Sequence, residues 1–193
     1  MNWEECYKTG NTPWDKSEPA PELESALAEG LLKGRVLVPG CGLGHDVRAI
    51  AKAGALEVIG LDLAPSAIQE AKEQAVLPNT SFLQGDFFEL PEAFMGHFDW
   101  IWEHTCFCAI PPADRPQYIQ SARNSLCPGG RLLALFFLNP DMEDPSQGPP
   151  FGVTTEELDR DFAGLFELEQ EWLPRATYPG REGRELVRLL RRL

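Results

Sequence analysis

The stretch Val38-Pro39-Gly40-Cys41-Gly42-Leu43-Gly44 sets three glycines at alternate positions, directly after an apolar run and directly before a helical pattern. Glycines so spaced let the main chain approach a ligand closely and leave amides free at a helix N-terminus. The spacing is G-x-G-x-G, whereas dinucleotide sites use G-x-G-x-x-G, and a tighter loop behind Pro39 suits a ligand without a pyrophosphate. By itself the pattern is also compatible with an ordinary glycine turn. Asp62 sharpens it. It ends the next apolar run, within the ~20-residue interval at which an acidic side chain meets a ribose, and a carboxylate can accept both ribose hydroxyls; the plainer alternative is a capping or solvated Asp. Gly85-Asp86-Phe87 follows the third apolar run. There Asp86 could accept an adenine amino hydrogen while Phe87 packs against the base.

A second group of side chains offers proton chemistry. His104 follows the fourth apolar run, and an imidazole of ordinary pKa ~6.5 suits proton transfer near neutrality; a histidine bonded to the backbone is the competing reading. Glu103, beside it, is a weaker catalytic candidate, better suited to holding a ligand or a water, and Tyr7 is weaker too. His45 and His97 read as structural. Cys106 and Cys108 have no activating base placed by spacing and read as packing. With no second Cys or His pair at zinc spacing, no metal site is expected. Phe107, Phe136, Phe137 and Phe151 could line an apolar acceptor pocket, although Phe136 and Phe137 also fit the end of a buried strand.

These residues need a scaffold, and the chain supplies an alternating one. Residues 1–21 read as a loop or short helix. Glu22–Leu32 has Leu23, Ala26, Leu27 and Leu31 on one helical face. Arg35–Val38 reads as a buried strand, Asp46–Ala53 as a helix, Glu57–Leu61 as a strand ending at Asp62, and Ala67–Gln74 as a helix with Ser66 as its N-cap. Thr80–Leu83, Phe98–Trp102 and Arg131–Phe137 continue as strands, with Ala113–Leu126 helical. Such alternation signals a parallel sheet wound by right-handed crossovers. Thr154–Phe162 opens with a capping pattern and reads as a helix. Leu165–Trp172 alternates apolar with charged residues as a strand does. In Glu185–Leu193 the leucine spacing fits a helix, yet a strand is expected, because Leu165–Trp172 needs a partner and a hairpin would supply it. The irregular stretch from Asn139 to Gly152 could serve as a lid.

Composition bounds the rest. The chain has 193 residues, 43% hydrophobic and 24% charged, and carries a formal charge of −13, an ordinary globular balance. No apolar run approaches the ~20 residues of a membrane span, and the Met-Asn-Trp-Glu-Glu start lacks signal-peptide features, so a cytoplasmic protein is expected. Five cysteines without an export signal argue for free thiols. An acidic surface makes nucleic acid a poor partner. The five arginines between Arg181 and Arg192 read as a solvated or substrate-facing edge, with a polyanion patch as the alternative.

Val36–Gly44, Gly60-Leu61-Asp62, Gly85-Asp86-Phe87-Phe88 and Pro128-Gly129-Gly130 together resemble a class I S-adenosylmethionine-dependent methyltransferase. More narrowly, Thr12-Pro13-Trp14-Asp15, Leu37–Gly42, Cys106–Ile110 and Gly148-Pro149-Pro150-Phe151 resemble the thiopurine S-methyltransferase family, nearest its halide and thiol methyltransferase branch. The resemblance implies a Rossmann-like, mostly parallel seven-stranded α/β sheet with helices on both faces and a C-terminal β-hairpin, in one domain. Its parts would be an N-terminal lid and helix (1–33), a donor-binding core (34–138) and an acceptor-side loop, helix and hairpin (139–193). It further implies S-adenosylmethionine as donor, S-adenosylhomocysteine as product, a small-molecule acceptor and a monomer. Carried over by position, Trp3 and Trp14 would fold over the donor. Val38 and Gly40, with Gly42 and Gly44 in the same loop, would face its methionine end. Asp62 would hold the ribose, Leu63 and Phe87 the adenine, and Asp86 the adenine amino group. Glu103 and His104 would lie beside the methionyl part and the transferable methyl, and Arg181 and Arg184 loosely near the acceptor. Position 104 is His where thiopurine enzymes carry Arg and the halide branch usually an aromatic residue, and the C-terminal segment is short. Thiol, hydrosulfide, halide and thiopurine-like acceptors therefore all stay open. So do a nicotinamide-dependent oxidoreductase and a donor-binding protein without turnover.

Overall fold

The computed structural model describes residues 1–74, 77–140 and 148–193; the middle half of the expected 139–152 lid lies outside them. Seven strands form one sheet: β1 (Arg35–Pro39), β2 (Glu57–Asp62), β3 (Thr80–Gln84), β4 (Phe98–His104), β5 (Leu126–Phe137), β6 (Phe166–Trp172) and β7 (Glu185–Arg192), in the order β3-β2-β1-β4-β5-β7-β6. The β1–β2, β1–β4, β2–β3 and β4–β5 pairs are parallel, and only β7 runs antiparallel to its neighbours. The order reverses between β1 and β4. That reversal splays the crossover connections apart and opens a crevice at the strand C-termini.

Alternation along the strands assigns the two faces. Val36 and Val38 pack with Leu23 and Ala26 of α2 (Pro21–Ala28), Val47 and Ile50 of α3 (His45–Lys52) and Ile68 of α4 (Pro65–Glu73). Leu37, Ile101, Leu132 and Phe136 pack on the other face with Tyr118 and Ile119 of α5 (Arg115–Ser125) and with Leu158 and Phe162 of α6 (Thr155–Phe162). The N-terminal segment forms one short helix, α1 (Trp3–Thr9), capped by the Asn2 side chain. Among the described residues no helix is long and apolar enough to cross a membrane.

Two expectations are corrected. Ser66 is not the N-cap of α4. Ala64 occupies that position with Pro65 behind it, and the Ser66 amide and hydroxyl donate to Glu4 at 2.9 and 2.8 Å, which pins α1 to the start of α4. The expected helix Glu22–Leu32 starts one residue earlier and stops at Ala28. The capping box expected at Thr154 forms, with Thr154 and Glu157 exchanging side-chain bonds to each other's amides.

Glu185–Arg192 is a strand despite its helical leucine spacing. It lies between β5 and β6, with Glu185 to Leu190 all buried. A strand covered on both faces carries apolar residues without alternation, so its spacing says little about its conformation. β6 at the sheet edge is the charged counterpart. Its Glu167, Glu169 and Glu171 pair with Arg191, Arg131 and Arg188. Arg188 also meets Asp159, and Arg192 donates to the Leu126 carbonyl. Much of the arginine run is thus neutralised within the sheet, and a row of charges also guards an edge strand against pairing with another chain.

Candidate functional site

One cavity of about 560 Å³ opens at the C-terminal ends of β1, β2 and β4, within the range of small-molecule sites. Its floor is the glycine loop. Gly40, Gly42 and Gly44 all have positive φ (61°, 50° and 78°), a region that side chains rarely adopt. Each is also sterically committed. A Cβ on Gly40 would lie 2.9 Å from the Cys106 Cβ, on Gly42 2.8 Å from the Tyr7 hydroxyl, and on Gly44 2.3 Å from the Phe82 ring. Gly40 and Gly42 line the cavity; Gly44 instead caps α3 and packs on β3.

Asp62 stands beside this loop with 9% of its surface exposed. Its two oxygens accept the Gly42 amide at 2.8 Å and the Ala64 amide at 2.9 Å. Burial raises its pKa although those amides oppose the shift. A carboxylate has about four lone-pair sites, so two remain for a ligand. Leu63 follows, half exposed at 50% on the rim. Asp86 lines the cavity and folds its carboxylate onto the Phe88 amide at 2.8 Å; Phe87 packs against Tyr118 with ring centroids 4.9 Å apart.

Trp3 and Trp14 close the opposite wall, edge to face at 5.3 Å, with Tyr7 5.9 Å from Trp14. The Trp14 indole N–H donates to the Tyr7 hydroxyl at 3.3 Å, and burial pushes the Tyr7 pKa up. Glu4 on Ser66 and Asp15 on His45 (3.2 Å) hold this segment down. His45, expected to be structural, is that latch, and it lines the cavity as well.

The wall at the tip of β4 divides the two proton-chemistry candidates. His104 lines the cavity. Its Nδ1 lies 3.1 Å from Asp46 Oδ2, its ring stacks on Tyr178 at 6.0 Å and 29°, and its Nε2 is buried with no hydrogen-bond partner among the described residues. Glu103 does not line the cavity. Its carboxylate turns into the core, where Oε1 accepts the Cys106 and Phe107 amides at 3.0 and 2.7 Å and Oε2 accepts the Tyr118 hydroxyl. Burial raises its pKa. The expectation that Glu103 holds a ligand or a water is replaced by a geometric role: its oxygens fix the 105–107 turn that follows β4.

Asp46 is only a helix start in the sequence, yet it organises this wall. Oδ2 also accepts the Trp102 indole N–H at 2.7 Å, and Oδ1 the Ala20 amide at 2.8 Å. Burial acts to raise its pKa, but the bonds from His104, Trp102 and Ala20 outweigh it and hold the group below its ordinary value. An acidic residue in the first turn of a helix normally complements the dipole, so nothing local distinguishes it. Tyr178 escapes sequence reasoning for the same reason. It sits between β6 and β7, its hydroxyl on the Glu18 carbonyl at 2.9 Å.

Phe137 and Arg181 complete this end, with the guanidinium 4.9 Å from the Phe137 ring and 5.4 Å from Tyr178, and bonded to Glu185 at 3.1 Å. Phe107 and Phe136 are core. Phe151 stays outside the cavity wall, where its amide donates to the Cys108 carbonyl at 2.7 Å, while Pro149 and Pro150 line it. Cys106 and Cys108 line the cavity as protonated thiols, burial pushing Cys108 up to about 12. His97 pairs with Glu57 at 2.8 Å away from the site.

Residues 1–173 match the thiopurine S-methyltransferase family. The chain is 39% identical over 163 residues to "Probable thiol methyltransferase 2" of Arabidopsis thaliana, covering 82% of this chain and 70% of that protein. It is 34% identical over 190 residues to thiocyanate methyltransferase 1 of the same plant (95% and 81%), and 29% identical over 184 residues to a thiopurine S-methyltransferase of Legionella pneumophila (86% and 82%). Among solved structures it superposes on a Burkholderia thailandensis 1,6-didemethyltoxoflavin-N1-methyltransferase with bound S-adenosylhomocysteine (TM-score 0.74, 20% identity, 99% of this chain and 85% of that one). It also superposes on an S-adenosylmethionine-dependent methyltransferase of Mesorhizobium loti (0.70, 18%, 89% and 98%). A glycine loop and buried carboxylate at a strand-order reversal, carried by this fold and this sequence likeness, make the chain a member of the thiopurine S-methyltransferase family and an S-adenosylmethionine-dependent methyltransferase.

Proposed function

We propose that the chain transfers the methyl group of S-adenosylmethionine to a small, soft nucleophile: a thiol, hydrosulfide, a halide or a thiopurine-like acceptor. The observation that carries the proposal is that one cavity is lined both by Asp62 and, past the tip of β4, by His104, Phe137, Tyr178, Pro149 and Pro150. A wall so rich in aromatic rings and prolines suits soft, weakly hydrated acceptors.

The residues present fit the donor. Asp62 keeps lone pairs for the ribose, half-exposed Leu63 gains cover from an adenine, and Asp86 and Phe87 stand where the base would lie. Gly40 and Gly42 offer a surface free of side-chain bulk for the methionyl part, with Val38 beside them and Gly44 fixing the loop behind. Trp3 and Trp14 shield the sulfonium, which indole faces stabilise by roughly 0.5–2 kcal/mol. The donor supplies a methyl on a sulfonium sulfur that leaves as a neutral thioether. The protein's own work is to align the acceptor in line with that methyl and to exclude water. His104 is the side chain that meets the acceptor, and Glu103 supports it by shaping the following turn.

A turnover screen with hydrosulfide, iodide, thiocyanate and an aromatic thiol, read as S-adenosylhomocysteine formed, tests the reading. Turnover of at least one acceptor is expected. Donor binding without turnover of any would overturn the proposed acceptor class.

A further inference from the structure

Resting on the reading just given, and going further into the same chamber, we infer that Asp46 is a positioning residue that locks His104 in its Nδ1–H tautomer, so that Nε2 removes a proton from an acceptor that enters in its neutral form. The class of acceptor this favours is an alkyl thiol, not a halide.

The geometry has three parts. Asp46 Oδ2 is 3.1 Å from His104 Nδ1, and both side chains are close to nine-tenths buried. An ionised carboxylate only accepts, so Nδ1 must carry the hydrogen and a neutral ring then has its lone pair on Nε2. The Asp46 carboxylate is itself fixed by the Trp102 indole and the Ala20 amide at 2.7 and 2.8 Å, which leaves it no freedom to release the ring. Nε2, in turn, has no partner among the described residues although His104 lines the cavity. A buried ring nitrogen without a partner is costly unless a ligand supplies one.

Charge around the cavity points the same way. Among the described residues, five carboxylates (Asp15, Glu18, Asp46, Asp62 and Asp86) line it against the side-chain cations Lys16 and Arg181 and the α-amino group of Met1. Such a field favours a cationic donor and opposes the entry of an anion. A neutral thiol avoids that cost, and a thiol of ordinary pKa about 8.5 still carries its proton near neutrality. In the step itself the S–H bond breaks and its proton goes to Nε2. Its electron pair stays on sulfur and forms the new S–CH3 bond as the methyl leaves the donor. The imidazolium then returns its proton to water. Iodide and thiocyanate carry no proton and would draw nothing from the pair.

Two variants test this by comparing a small alkyl thiol with iodide. In Asp46→Asn the amide can donate to Nδ1 and stabilise the opposite tautomer, and kcat for the thiol should fall at least about 100-fold, the usual reach of a general base. The loss should exceed the loss for iodide by at least about 30-fold. His104→Gln should show the same split without touching Asp46, and it carries the test alone if Asp46→Asn fails to fold. A readout independent of turnover is the nitrogen chemical shifts of His104. They should report an unprotonated Nε2 in the free protein and a protonated one in Asp46→Asn. Equal losses for thiol and iodide, unchanged thiol turnover in both variants, or a wild-type ring protonated on Nε2 would overturn the inference. If the unaltered protein turns over neither acceptor while still binding S-adenosylhomocysteine, it is the acceptor assignment of the preceding section that fails.

Discussion

The end of the cavity proposed for the donor and the end proposed for the acceptor are built in different ways. At the end proposed for the donor, the floor comes from short continuous segments at strand tips, 38–44 at β1, 62–63 at β2 and 85–87 after β3, and only Trp3 and Trp14 are added from the N-terminal segment. Main-chain amides and glycine geometry define it. At the end proposed for the acceptor, Asp46, His104, Phe137 and the Tyr178–Arg181 loop come from four separate segments and meet through side chains. A site made of backbone at strand tips is carried by the fold itself. One made of converging side chains depends on every element that holds them, and it can change acceptor without disturbing the donor.

The sharpest way to break this contrast is at Asp62. Asp62→Ala removes the carboxylate proposed to hold the ribose and releases the Gly42 and Ala64 amides. Charge-assisted hydrogen bonds of this kind contribute about 1.5–3 kcal/mol, so calorimetry should find S-adenosylhomocysteine bound roughly 100-fold more weakly. An unchanged Kd would remove the ribose assignment.

Next comes Gly44→Val. A β-branched side chain there must adopt φ near 78° and overlap the Phe82 ring. Left-handed strain of about 1–2 kcal/mol together with overpacking of similar size should lower Tm by roughly 10 °C. A thermal melt within a degree or two of the parent would mean that the loop is not sterically committed.

Trp14→Ala sharpens the comparison by separating charge from contact. If the indole faces the sulfonium, affinity for S-adenosylmethionine should drop about 3- to 30-fold, with a distinctly smaller drop for the uncharged product. Equal losses for both ligands would make Trp14 a lid without charge recognition.

The smallest effect is also the most direct contrast between the two ends. Hydrogen bonds hold Asp46 below its ordinary pKa, whereas burial lifts Asp62 above its own. With an unfolded value of about 3.9, Asp46 stabilises the fold above that pH and loses the contribution as acid carries it through its lower folded value. Asp62 has the opposite sign. Its ionisation costs stability once the pH passes the unfolded value, and the whole cost is present above the raised folded one. The Tm of ligand-free Asp46→Asn should therefore lie below the parent near neutrality, and that of Asp62→Asn at or above it. Both gaps should narrow toward about pH 3. Melts of the same sign for both variants would contradict the assigned shifts.

Much of this molecule is legible in its amino-acid sequence. The alternation of apolar runs and helical patterns specifies the wound sheet, because parallel strands need crossovers and crossovers need amphipathic helices. The glycine loop and Asp62 are legible because they act through backbone geometry and sit one strand apart in the chain. Glu185–Leu193 is harder: only its need to pair with Leu165–Trp172 argues against the helical leucine spacing, since a strand buried on both faces has no period of its own.

Tertiary structure alone decided which charged groups reach the cavity. Glu103 and His104 are neighbours on β4, so their side chains leave on opposite faces of the strand. One enters the core against Tyr118, and the other enters the cavity. Asp46 and Tyr178 give no local sign, because a side chain 58 residues from its hydrogen-bond partner acquires a role only when two elements pack together. The sequence by itself determined the sheet, the glycine turn and the position of the carboxylate proposed for the ribose, all set by local conformation and short-range periodicity. The Asp46–His104 wall was decided by long-range packing, since burial and partnership, not residue type, select which histidine and which carboxylate face one another.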